Sequence, residues 1–82
     1  MVKPSEQEIM EIISRALNLK DRNVLTSDNS IDNTEEWDSL GHLSILSALD
    51  NFYHGKIAQI REMAKADSVA KILQILRKHS FL

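Results

Sequence analysis

The stretch from Ser39 to Tyr53 constrains the fold more than any other, because its apolar residues overflow a single helical stripe. At about 100° per residue, Leu43, Ile45, Leu46, Ala48, Leu49, Phe52 and Tyr53 fill a broad arc, while Ser44, Ser47 and Asn51 share the opposite strip. A helix so widely apolar is stable in water only where several others cover it, so it is expected at the centre of the molecule. Leu40 is the exception. It shares the polar strip with Ser44, Ser47 and Asn51, and is expected to be exposed.

The covering helices are legible on either side. Ser5-Glu6-Gln7-Glu8 has the form of a capping box with Pro4 just outside it. Ile9, Ile12, Ile13, Ala16 and Leu17 then form one stripe, with Glu8, Glu11, Ser14 and Arg15 turned largely to water. The spacing predicts an amphipathic first helix ending near Leu19. His54-Gly55 supplies a stop after the second helix, Gly being the residue that most readily takes the left-handed conformation there. Ala58 to Ala66 reads as a short helix with Ile60, Met63 and Ala64 inward. Asp67-Ser68 caps a last helix running to about His79, with Val69, Ile72, Leu73 and Leu76 on its apolar face and Lys71, Gln74 and Lys78 opposite. Arg77, Lys78 and His79 complement the negative end of its dipole.

Only 2 Gly and 1 Pro leave few punctuators for the turns of an all-β fold. The expected fold is all-α: a small four-helix bundle of three main helices plus a short third helix. It forms a single domain over residues 1–82 with one modest core. From Lys20 to Glu36 the pattern breaks into polar and acidic residues. Connections beyond roughly 12 to 15 residues are uncommon in compact domains. Val24, Leu25 and Ile31 are expected to pin this long loop to the core, and Trp37 to fix its far end.

A formal net charge of −2 provides no basic field for nucleic acid, and no lysine-rich block suggests a membrane surface. No segment has the apolar length of a membrane span, and Met-Val-Lys-Pro-Ser has no apolar run of the kind expected in a signal peptide. With 0 Cys there is no disulfide framework, zinc-cysteine site or thiol nucleophile. These features lead to the expectation of a soluble, cytoplasmic protein.

Chemistry concentrates at Glu36-Trp37-Asp38-Ser39-Leu40, where the polar loop meets the apolar helix. Ser and Asp commonly cap helices, which is the ordinary explanation for Ser39. An enzymatic role would pair Ser39 with His42 as base and Asp38 as third member. Such a triad also needs an oxyanion hole and a cleft, neither visible on one exposed helical turn. His42, His54 and His79 lack the spacing to share a metal and read as surface or helix-end residues. Glu35, Glu36 and Asp38 suit the positive end of a helix dipole. No catalytic residue and no metal ligand is assigned. An exposed hydroxyl at a helix N-terminus stands where free N–H groups and the dipole favour an anion.

The Asp38-Ser39-Leu40 triplet sits within a longer arrangement: an amphipathic first helix, a long loop containing Ile31, and an apolar helix through Ala48-Leu49 to Tyr53. Lys56-Ile57, a short helix and the Asp67-Ser68-Val69 start of a last helix follow. Over nearly the whole chain this resembles the acyl carrier proteins, of the discrete type. The resemblance implies that Ser39 receives 4'-phosphopantetheine from coenzyme A through a separate phosphopantetheinyl transferase. The arm's thiol would then carry acyl groups as thioesters between acyl-activating, condensing and acyl-transfer enzymes. Asp38 and Leu40 would flank the transferase contact, and the second helix, with Ser44, Ser47 and Asn51, would face partners of a monomeric carrier. Carriers in general fatty-acid synthesis usually have a strongly acidic second helix, whereas Gly41 to Asp50 contains a single carboxylate. This points to a specialised fatty-acid, polyketide or aminoacyl pathway. Gly41 within a helix costs up to about 1 kcal/mol relative to Ala and predicts a loose first turn. The competing expectation is a helical interaction module with the same fold that is never modified.

Overall fold

A computed structural model, which describes residues 3–19 and 25–82, contains three α-helices: α1 (Glu6–Ala16), α2 (Ser39–Phe52) and α3 (Val69–Lys78). Each opens on a side-chain cap. Ser5 accepts the Glu8 amide while Glu8 accepts that of Ser5, Asp38 accepts from Gly41, and Ser68 accepts from Lys71. Each closes with a left-handed residue, Asn18 (φ 56°), His54 (φ 58°) or Ser80 (φ 63°). The next amide then reaches back to a carbonyl in the last turn: Leu19 to Ser14 at 3.1 Å, Gly55 to Asp50 at 2.7 Å and Phe81 to Leu76 at 2.8 Å. The Asn18 turn stops α1 at Ala16, earlier than the apolar stripe predicts. At His54-Gly55 the histidine takes the left-handed position first and Gly55 follows it.

The core joins Ile9, Ile13 and Leu17 of α1, Ile45 and Leu49 of α2 with its cap Tyr53, and Val69, Ile72, Leu73 and Leu76 of α3. The connections add Trp37, Ile57, Met63 and Ala66. Tyr53 donates its hydroxyl to the Phe81 carbonyl at 3.0 Å, tying the chain's end to α2. Burial, with a smaller contribution from the Glu8 carboxylate, pushes its phenol up to about 12.

The short helix expected over Ala58–Ala66 is a 3₁₀ helix confined to Arg61–Lys65. The amides of Ile60, Met63 and Ala66 bond three residues back, to Ile57, Ile60 and Met63. Side chains spaced by three eclipse on such a path, and Ile57, Met63 and Ala66 are accordingly buried. Ala64, expected inward on a 3.6-residue period, is exposed, and Ile60 is half-buried.

The long loop is held by backbone and polar groups more than by apolar ones. Ile31 is 37% exposed, so its side chain does not pin the loop as expected. Its amide does, donating to the Asp67 carbonyl at 2.8 Å while the Val69 amide donates to Asn29 at 3.0 Å. This Ser30–Ser68 bridge is the sole β pairing among the described residues. Asn29 Nδ2 donates to buried Thr34 at 3.0 Å, and Asn33 Nδ2 to the Asp28 carbonyl at 2.9 Å. Leu25 packs partly buried against the core, while Val24 lies outside the described residues. Trp37, 1% exposed, anchors the far end as expected.

Helix α2 packs on α1 and on the 3₁₀ helix, with Ile45 and Leu49 fully buried. Its apolar arc is narrower than its composition suggests. Leu43 lies about 120° around the helix from the line through Ile45, Leu49 and Tyr53, and is 61% exposed. Leu46 is half-buried and Phe52 partly exposed, while Leu40 is 74% exposed, as its register predicts. Among the described residues, no helix is long and apolar enough to cross a membrane.

This register makes Leu49 and Leu40 a matched pair. Leu49→Ala should lose roughly 2 to 5 kcal/mol, as for buried leucines generally, whereas Leu40→Ala should stay within about 0.5 kcal/mol of the parent. Urea melts of the two variants measure this, and equal losses would show the register of α2 to be wrong.

Candidate functional site

Asp38 is the N-cap of α2: its Oδ1 accepts the Gly41 amide at 2.7 Å, and its carbonyl accepts the His42 amide at 2.8 Å. Ser39 is therefore the first helical residue, exposed, and its hydroxyl has no part in the cap. The ordinary explanation for a serine at a helix start thus applies to its neighbour. The amides of Ser39 and Leu40 continue the positive end of the helix beside that hydroxyl.

Gly41 shows why the loop meets the helix so closely. A Cβ at this position would drive into the Glu36 carbonyl oxygen and lie 2.9 Å from Leu17 Cδ2. The missing side chain lets the loop backbone and the end of α1 close over the first turn, which is drawn in rather than loose.

His42 is not the surface residue that the sequence suggests. It is half-buried, with Trp37 Nε1 at 3.1 Å from its Nδ1 and the Met63 carbonyl at 2.9 Å from its Nε2. Both ring nitrogens hold other segments, so neither serves Ser39 as a base. The other histidines are remote from this arrangement in role: His54 ends α2, and His79 caps α3 beside Glu62. Among the described residues, no three His, Asp or Glu side chains gather into a metal-binding group.

Asp50, the single carboxylate of α2, turns to the chain that follows, its Oδ1 accepting the amides of Ile57 at 3.1 Å and Ala58 at 2.8 Å. What α2 presents outward is uncharged. Leu40, Leu43, Ser44, Ser47, Ala48 and Asn51 line one shallow depression along it. Of the residues expected to contact partners, Leu40, Ser44, Ser47 and Asn51 come together on this face, and Asp38 sits at its end as a cap. Leu43 joins them, although the sequence places it in the core. Comparison with protein-family models, with curated proteins and with solved structures finds no match for this chain.

Gly41 separates two effects of opposite sign. Helix propensity alone would make Gly41→Ala stabilising by up to about 1 kcal/mol. The close approach of Glu36 and Leu17 reverses this, and the variant should be less stable by about 1 to 3 kcal/mol. Thermal or urea unfolding reads the sign directly, and a gain in stability would show that the contact is not tight.

Proposed function

We propose that this protein is an acyl carrier, loaded at Ser39 with 4'-phosphopantetheine and shuttling acyl groups as thioesters in a specialised fatty-acid, polyketide or aminoacyl pathway of the cytoplasm. The observation that carries the reading is the exposed Ser39 hydroxyl at the first position of α2, left free because Asp38 supplies the cap. The arrangement of three α-helices with a 3₁₀ helix at Arg61–Lys65 supports a reduced form of the small four-helix carrier bundle. In loading, the Ser39 oxygen takes the place of the nucleotide half of coenzyme A on the transferred phosphorus. The hydroxyl proton passes to a base of the phosphopantetheinyl transferase, His42 having no free nitrogen for the task. The resulting phosphodiester carries negative charge beside the N–H groups of the first turn.

Intact mass after incubation with coenzyme A and a transferase should rise by one phosphopantetheinyl group, and Ser39→Ala should abolish the rise while keeping its helical circular dichroism. An adduct persisting in the mutant would move the site elsewhere. The second reading, an unmodified interaction module, draws on the exposed Leu40 and Leu43 and requires that no active transferase produce an adduct.

Partner choice follows from the uncharged face. Exposed charges set encounter rates, and their reach shortens to about 8 Å at physiological ionic strength. With Asp50 turned to the Ile57 and Ala58 amides, the face of α2 lined by Leu40, Leu43, Ser44, Ser47, Ala48 and Asn51 has no charged side chain to steer a partner. Association of the loaded carrier with its cognate condensing or transfer enzyme should therefore change little between low and physiological salt. Its association with enzymes whose basic patches suit an acidic helix should be slow. A steep salt dependence with the cognate enzyme would assign the steering to Asp32, Glu35 and Glu36 on the loop.

A further inference from the structure

The imidazole of His42, one turn after Ser39, joins three segments. Trp37 Nε1 lies 3.1 Å from Nδ1, and the Met63 carbonyl lies 2.9 Å from Nε2. An indole N–H donates and never accepts. Nδ1 must therefore hold a lone pair, the ring proton resides on Nε2, and that N–H donates to Met63. The two rings are nearly parallel, 15° apart, and their centroids are separated by 6.1 Å, far enough for the N–H···N contact at 3.1 Å to join the two ring edges. One protonation state satisfies both contacts: the neutral Nε2–H tautomer.

We propose that His42 is a positioning residue for Ser39: as a neutral imidazole it locks the end of the loop at Trp37 and the 3₁₀ helix at Met63 onto the first turn of α2, and taking up a proton opens the Trp37 side of that lock. The consequence for loading rests on the carrier reading; the lock itself does not. A second proton can enter only at Nδ1, where it faces the indole N–H head-on. Trp37 is 1% exposed, so its displaced N–H has no water to turn to. The Met63 contact survives, because Nε2–H donates in both states.

Several charged groups surround this lock. From the segment before α3, the Asp67 carboxylate acts on the imidazole. Asp67 is half-exposed and paired with Lys71 at 2.9 Å, and the hydrogen bond from Lys71 holds its carboxyl below the usual range. From α2 itself, Asp38 is engaged by the Gly41 amide. On the 3₁₀ helix, Glu62 is taken by Lys78 and His79, and Arg61 and Lys65 are exposed cations. In the loop, Glu35 and Glu36 are exposed. Of these, Asp67 is a paired carboxylate screened by solvent.

When His42 takes up that second proton, Trp37 separates from α2. The Glu36 carbonyl over Gly41 and the Asp38 cap, its neighbours in sequence, move with it. Ser39 then loses the fixed presentation that a transferase meets.

The test uses the full chain and its single tryptophan. Nitrogen-15 spectra at about pH 8 should show His42 as the Nε2–H tautomer. As pH is lowered to about 5, across the imidazole range, the indole N–H proton should shift upfield and tryptophan emission should move to the red. Both should follow the midpoint of His42 itself. His42→Asn keeps an acceptor near the place of Nδ1 and cannot titrate. Its emission should stay constant, and the ratio of wild-type to variant loading rate should fall several-fold over the same range. An Nδ1–H tautomer at high pH would overturn the proposal. So would an indole response that survives in His42→Asn and hence belongs to His54 or His79. Should the variant not fold, the wild-type tautomer and the coincidence of midpoints decide. Absence of any adduct with the indole response intact would refute the carrier reading and still uphold the lock, whereas a flat indole signal with normal loading would remove the lock alone.

Discussion

Burying an indole obliges a fold to find an acceptor for its N–H, and in this protein that demand organises the region around Ser39. Trp37 is 1% exposed, and the acceptor is His42 Nδ1. Because the imidazole is thereby left with its proton on Nε2, it must in turn meet an acceptor, which the Met63 carbonyl supplies at 2.9 Å. One buried N–H thus fixes the end of the loop, the first turn of α2 and the 3₁₀ helix relative to one another. Gly41 completes the arrangement by letting the Glu36 carbonyl and Leu17 approach where any side chain would hold them off.

The remaining architecture follows from closing helices with little glycine. Asn18, His54 and Ser80 each take the left-handed turn after a helix, a conformation disfavoured for side chains other than Gly. In return, the carbonyls of Ser14, Asp50 and Leu76 gain partners. Asp50 extends the closure of α2 by gathering the Ile57 and Ala58 amides, which starts the chain on its path into the 3₁₀ helix. Ion pairs on the outside, Arg77 with Glu6 and Lys78 with Glu62, join α3 to α1 and to the 3₁₀ helix. They are exposed and contribute little beside the core.

Helices α1 and α3 were legible because one physical signal decides them: a narrow apolar stripe at helical spacing, with Ser5 and Ser68 as caps. The reading of α2 failed at Leu43 because composition cannot tell an apolar residue that faces the core from one that faces outward. Only the line through Ile45, Leu49 and Tyr53 shows where the core lies. The 3₁₀ helix was misread for want of the right period. Ile57, Ile60, Met63 and Ala66 recur every third residue, a spacing that fits three residues per turn and was available in the sequence. The site was half-legible. The exposure of Ser39 and Leu40 follows from position, whereas the roles of Gly41, His42 and Asp50 depend on the carbonyl of Glu36, the indole of Trp37 and the amides of Ile57 and Ala58. Those contacts exist only once the loops have closed.

Sorting α2 by contacts separates two kinds of residue. Asp38, Gly41, His42, Ile45, Leu49 and Asp50 each have a partner inside the molecule, and their identities are explained by it. Ser39, Leu40, Leu43, Ser44, Ser47 and Asn51 are exposed. Single exposed leucines need no explanation. Leu40 and Leu43 are less ordinary: they lie one helical turn apart, flank the same shallow depression and adjoin the one serine whose capping role has passed to its neighbour. Folding does not require either side chain, since each could be polar without disturbing the core. Nothing inside the described residues calls for apolar surface beside Ser39, whereas the proposed carrier role, in which a partner enzyme meets α2 near Ser39, would account for it.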